Sequence, residues 1–333
     1  MKTIIKFFAI LFILNLSTGL LPHKANAHGG VSFQVFYDEL SPYGSWVNYP
    51  EHGYAWIPSV GAGFSPYGSG GHWVFTQFGW TWASDYSWGW APFHYGRWLY
   101  DPLYGWIWVP DTVWGPAWVL WRTSPGYCGW APIKPGVSIH IAYGPNYHIP
   151  PDWWLFVPNQ YIGSANINEY YGPRSNNSTI INNTTVVNRT YKPEGSNTEY
   201  VAGPDKATIE KATGKPIKAV TVKDSDKPGQ RLRGEELSLY RPQMVRAEDN
   251  GENPAPRKVT DLKDVKPASQ SDMNESRREP LTHPKQEEPS SIAPGNDGDL
   301  KAQPSSKDVE VGPDRSINQS APRKIRKEKS PKR

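Results

Sequence analysis

The chain has 333 residues, 36 Lys and Arg against 32 Asp and Glu, and a single cysteine. One cysteine excludes an intramolecular disulfide framework, and a net charge of +4 over this length is too small to define a partner by itself. All 16 tryptophans lie between Trp46 and Trp154, a density that an ordinary aliphatic core does not use.

The start is basic (Lys2, Lys6), and residues 7–14 form an apolar run too short to cross a bilayer. Ala25-Asn26-Ala27 gives the small-x-small pattern of a cleavage site, so residues 1–27 read as a signal peptide and the mature chain begins at His28. No cysteine follows closely, which argues against a lipid anchor, and no later stretch reaches the roughly 20 apolar residues of a spanning helix. The expectation is an exported protein, periplasmic or extracellular, without a transmembrane span after cleavage.

Residues 28–160 read as a Trp-rich β-hairpin repeat domain. Gly44-Ser45-Trp46, Gly71-His72-Trp73 and Gly96-Arg97-Trp98 each open a strand, and Gly53-Tyr54-Ala55-Trp56, Gly79-Trp80-Thr81-Trp82 and Gly105-Trp106-Ile107-Trp108 each open its return. A degenerate fourth copy runs from Ala117 to Pro132. Asp101-Pro102-Leu103-Tyr104-Gly105 has the composition of a tight turn, with Asp opening it and Gly closing it. Residues two apart on a strand share a face, which pairs Trp80 with Trp82, Trp88 with Trp90, and Trp106 with Trp108. The glycines beside them leave room for an indole from a neighbouring hairpin. Single hairpins are marginal in water, so the predicted fold class is all-β: hairpin repeats in a meander, small barrel or stacked array, followed by a small α+β segment and a disordered tail.

Between residues 32 and 154 three bases (Arg97, Arg122, Lys134) face seven acids (Asp38, Glu39, Glu51, Asp85, Asp101, Asp111, Asp152), a formal 3 − 7 = −4. The basic groove that stacking of single-stranded nucleic acid needs is missing, so nucleic acid is not an expected partner. Residues 161–199 read as an Asn/Thr-rich linker or extended edge strand over 175–191. In the segment 200–245, residues 207–212 read as a helix stopped by Gly214, and 217–222 and 236–240 as strands. From residue 246 onward the composition predicts a disordered tail, ending in 323–333 with seven bases and one acid that could adhere to an anionic surface.

Residues 40–46, 89–98, 114–122 and 129–132, with 203–214 and 237–242 behind them, resemble a Trp-rich bacterial family catalogued as domain of unknown function 6600. The resemblance implies an exported envelope protein of a Gram-negative bacterium and carries over no catalytic residue.

A polysaccharide hydrolase would need two carboxylates about 5 to 9.5 Å apart. Asp85, Asp101 and Asp111 are at hand, but Asp101 suits the turn and Asp111 follows Pro110. His52, His72, His94, His140 and His148 have no ligand spacing, and His94 reads as a partner for a backbone carbonyl inside the aromatic layer. Cys128 sits in an aromatic run and reads as buried. The sequence calls for no metal, cofactor or catalytic residue. It fits a non-catalytic module that binds peptidoglycan or a surface polysaccharide on aromatic platforms, with Trp88, Trp90, Trp106 and Trp108 the first candidates. The competing reading is a structural or protein-interaction envelope module whose tryptophans are core.

Overall fold

The computed structural model describes residues 30–192, 199–245 and 253–268. The signal segment lies outside the described residues, as does all of the second of the two units into which the chain divides, residues 283–333.

In chain order the elements are β1 (Val31–Ser32), α1 (Gln34–Leu40), β2 (Gly44–Tyr49), β3 (Gly53–Pro58), β4 (Gly71–Thr76), β5 (Gly79–Ser84), β6 (Arg97–Asp101), β7 (Gly105–Val109), β8 (Val119–Thr123), β9 (Tyr127–Pro132), α2 (Ile139–Ala142), β10 (Leu155–Pro158), α3 (Asn177–Asn182), β11 (Thr185–Val186), β12 (Thr190–Tyr191), β13 (Tyr200–Val201), α4 (Lys206–Thr213), β14 (Ala219–Asp224), β15 (Gln230–Arg233), β16 (Glu236–Leu239) and β17 (Met244–Val245). The fold is mostly β, in several largely antiparallel sheets with a few short helices, and none of the sheets is a closed barrel.

All four repeats are hairpins, and their registers repeat one feature. Trp46 stands opposite Trp56, Trp73 opposite Trp82, Trp98 opposite Trp108, and Trp121 opposite Trp130. Cross-strand aromatic pairs of this kind are the unit of sheet stabilisation. The first and third hairpins join through β3 and β7 into the sheet β2-β3-β7-β6, meeting at Trp56 and Trp108. The fourth is flanked by β10 and β11.

The Gly-x-Trp motif has a specific cause. A Cβ on Gly44 would stand 2.6 Å from the Trp56 indole nitrogen and 2.4 Å from the Ile57 carbonyl, and one on Gly71 would meet Trp82 at 2.9 Å. The indoles that cover Gly44 and Gly71 belong to the return strand of the same hairpin, while Gly79, Gly89 and Gly105, the glycines beside the paired tryptophans, face Ala202, Ser84 and Ala268 and not the neighbouring indole that the spacing suggested.

The segment 200–245 is not built as a separate layer. Helix α4 has Asp205 as its N-cap, accepting from the Thr208 amide, and left-handed Gly214 behind it, as its sequence dictates. Strand β14 then pairs in parallel with β4, so β14, β16 and β15 extend the second hairpin into the sheet β15-β16-β14-β4-β5. This sheet curls until its edges face each other, and Gln230 on β15 donates through Nε2 to the Ser84 carbonyl on β5.

Two stretches depart from the sequence expectation. Residues 175–191 are not one extended strand: 177–182 are helical, Thr185–Val186 pair as an edge strand on β8, and Thr190–Tyr191 pair separately with β13. The buried Asn177 amide donates to the Pro151 and Trp154 carbonyls, and Arg122 donates to the Ile181 and Thr184 carbonyls, so tertiary hydrogen bonds override β propensity. Residues 253–268, inside the stretch that composition assigns to the tail, lie across the sheet β2-β3-β7-β6. The Thr260 amide donates to Trp46 O, that of Ala268 to Leu103 O, and Leu262 and Val265 cover Val47, Ala55, Ile57 and Ile107.

Gly44→Ala should destabilise the fold by about 1 to 3 kcal/mol through overpacking, while Gly126→Ala, with open space around it, stays within about 0.5 kcal/mol of the parent. Urea midpoints of the two variants test this; equal midpoints would refute the fit of glycine to indole.

Candidate functional site

The four tryptophans expected to be surface platforms are buried: Trp88 is 5%, Trp90 1%, Trp106 8% and Trp108 0% exposed. Trp88 and Trp90 lie in the turn region between β5 and β6, not on a strand, and do not form the predicted pair. Trp88 stacks on Tyr86 at 4.3 Å and meets Trp56 edge-on at 5.1 Å. Trp90 is held between Phe36 and Tyr240. Trp108 donates its indole N–H to the Tyr95 carbonyl at 2.7 Å. Their burial follows from area: a Trp removes about 150 to 250 Å² from water, and the paired registers turn every repeat's indoles into one shared layer. Fifteen of the sixteen tryptophans are buried, and Trp114 is half-buried.

Trp106 lines a surface cleft of about 200 Å³, with Tyr100, Tyr104, Phe64 and the Gly61–Ala62 loop around it. Tyr100, 37% exposed, and the buried Trp153 meet Trp106 edge-on at 5.4 and 4.8 Å. Of the four candidates, the structure therefore leaves one ring at an opening and places three inside the aromatic layer.

Asp101, Asp111 and Cys128 are engaged in the fold. Asp101 accepts the Leu103 and Tyr104 amides through Oδ1 and the Tyr49 hydroxyl through Oδ2, the turn-opening role read from the sequence. Asp111 Oδ1 accepts the Thr112 amide. Cys128 is fully buried, and burial raises its thiol pKa far above the usual value, so it stays protonated. Among the described residues no group of three His, Cys, Asp or Glu could hold a metal ion.

Two buried polar side chains sit within the aromatic layer: Arg97, whose part spacing and composition did not indicate, and His94, whose backbone partner the sequence context did. Arg97 lies 3.5 Å over the Trp118 ring and donates through Nη1 to the Gly96 carbonyl. Burial lowers its pKa to about 10, and the charge of Asp111 works against that shift. His94 is fully buried, stacks on Trp114, and has Nδ1 3.0 Å from the Gly115 carbonyl, the backbone partner its sequence context suggested. Its Nε2 stands 3.3 Å from Oε1 of Gln230, the residue that bridges the edges of the curled sheet. Burial pushes the His94 pKa down to about 4, with Arg241 adding to the effect and the Gly115 and Gln230 hydrogen bonds opposing it. The ring is neutral at neutral pH and carries one proton, so it donates either through Nδ1–H to the Gly115 carbonyl or through Nε2–H to Gln230 Oε1, both of which are acceptors, and not through both at once.

Residues 37–137 match the model of a family of unknown function, DUF6600. That segment of the chain, which contains all four hairpins, belongs to the family its motifs resemble. No curated protein and no solved structure is matched by the chain.

His94 makes stability pH-dependent in a definite direction. The unfolded chain takes up this proton near pH 6.5, while the folded chain resists it until about 4, so the stability is complete above 6.5 and is lost as pH falls toward 4. The loss is about 3 kcal/mol, and His94→Asn, which cannot titrate, should show a correspondingly flatter slope in urea midpoints measured across that range. Parallel slopes for the two proteins would contradict the assignment.

Proposed function

We propose that this chain is an exported, non-catalytic module of the Gram-negative cell envelope, periplasmic or extracellular, in which the tryptophans form a rigid core and the surface meets other envelope components. The observation that carries this reading is the burial of fifteen of the sixteen indoles, which turns the most unusual feature of the sequence into a structural one. The charged groups inside the domain serve turns, caps and the aromatic layer, which supports a scaffold. Export is supported by the basic start, the short apolar run and Ala25-Asn26-Ala27.

A second reading, binding of peptidoglycan or surface polysaccharide, keeps the support of one observation: the cleft where Tyr100, Tyr104 and Trp106 offer ring edges and hydroxyls together. It now concerns the tip of the third hairpin and not a broad platform.

Tryptophan emission should be blue-shifted, resistant to an aqueous quencher and unmoved by peptidoglycan fragments. Trp108→Ala should cost about 3 to 5 kcal/mol as a core truncation. A saturable emission shift with a glycan, abolished by Tyr100→Ala, would favour the second reading over the first. Mass measurement of protein recovered from the periplasm or medium should give a chain starting at His28; retention of the intact chain in the cytoplasm would overturn export.

A further inference from the structure

The outer face of β14, β16 and β15 carries a pattern that the scaffold does not use. Val222, Leu237 and Leu239 point into the core and are buried. The alternate residues face outward, and the registers place them in two rows. Arg231 lies opposite Ser238, which lies opposite Lys223; Arg233 lies opposite Glu236, which lies opposite Thr221. Residues two apart on a strand are separated by about 7 Å, so Arg231 and Arg233 stand side by side on the sheet edge. The turn after β14 adds Lys227, which lines with both arginines a shallow depression of about 450 Å³ that also holds Ser225, Gln230 and Ser238.

The charge on this face is unbalanced. Its one carboxylate, Glu236, forms an ion pair with Lys223. Nearby Glu235 pairs with Lys218, and Asp224 with Arg241. Asp226, beside Lys227, is the remaining acid. Among the described residues Lys227, Arg231 and Arg233 make no ion pair, and both arginines are exposed. Edge-strand cations also discourage sheet-to-sheet pairing, but that role needs no depression lined by hydroxyls and a third cation from the turn.

We propose that this face docks the protein on an anionic membrane surface, Lys227, Arg231 and Arg233 meeting lipid phosphates. The choice of a lipid surface over a small anion rests on charge complementarity: Lys227, Arg231 and Arg233 are exposed and spread along the sheet edge and its turn. Cations spread in this way engage several phosphates of an extended anionic surface at once and gain from multivalency, which a single small anion does not offer. The proposal deepens the reading as an envelope protein and rests on it for its biological setting, but membrane docking is measured on purified protein, independently of export.

The test is cosedimentation of the full chain with phosphatidylglycerol vesicles and with neutral phosphatidylcholine vesicles. Binding should be confined to the anionic vesicles and weaken with added salt. Arg231→Gln with Arg233→Gln should lower the affinity about 30-fold, at about 1 kcal/mol for each cation, with an unchanged tryptophan emission spectrum showing that the fold persists. Lys211→Gln, on α4, should leave the affinity as it was. Equal binding to both kinds of vesicle, undiminished binding by the double variant, or binding to a soluble phosphorylated polysaccharide as tight as to the vesicles would each overturn the proposal.

Discussion

The structure depends on indole N–H groups that donate into loop carbonyls. Trp46 donates to Tyr37, Trp56 to Leu40, Trp98 to Pro92, Trp108 to Tyr95, Trp118 to His94, Trp130 to Tyr67 and Trp80 to Pro204. Each acceptor lies in an irregular segment or at a helix end, where ladder hydrogen bonds do not reach. A buried carbonyl without a partner costs on the order of 1 to 3 kcal/mol, and neither Phe nor Leu could supply the donor. Tryptophan therefore fills volume and fixes loops with one side chain. Trp73, Trp82 and Trp121, whose N–H groups find no such acceptor, meet one another as rings around Trp73, at 5.2 and 4.5 Å.

This explains what was legible in the sequence. Hairpins announce themselves through local turn chemistry and strand composition, so the four repeats, the Asp101 turn and the Gly214 stop could all be read residue by residue. The direction in which a tryptophan faces cannot be read that way. In Trp106-Ile107-Trp108 the alternation suggests one indole face and one aliphatic face, but both faces are covered, the first by the aromatic layer and the second by Leu262 and Val265. Those two residues lie more than 150 positions away in a stretch whose composition is that of a solvated tail. Their spacing within the turn Leu262–Asp264 becomes meaningful only once the sheet beneath them exists. The pairing of β14 with β4 is hidden for the same reason, since a two-residue parallel contact between strands about 145 positions apart leaves no local mark.

The polar residues follow a similar division. The turn bonds of Asp101 lie within three residues of itself and were readable, unlike its bond from the Tyr49 hydroxyl. Gln230 was not: it gathers Ser84 and His94 only because the five-stranded sheet curls. A side-chain bridge replaces the backbone ladder that would have closed the sheet. Gln230 and Leu232 turn inward on β15, and the alternate residues Arg231 and Arg233 are therefore exposed on the outer face.

Surface and core thus divide the work by chemistry. The aromatic module is formally acidic and spends its few bases internally, Arg97 over Trp118 and Arg122 on the carbonyls before β11. The strands that complete the second hairpin's sheet come from a later part of the chain with a different composition, and they bring exposed cations that the repeats lack. A core this dependent on interlocked indoles tolerates little change, because each ring packs against others and several also hold a loop. Substitutions at hairpin tips and on added strands disturb that core least, and the cationic face on β14, β16 and β15 lies on such an addition.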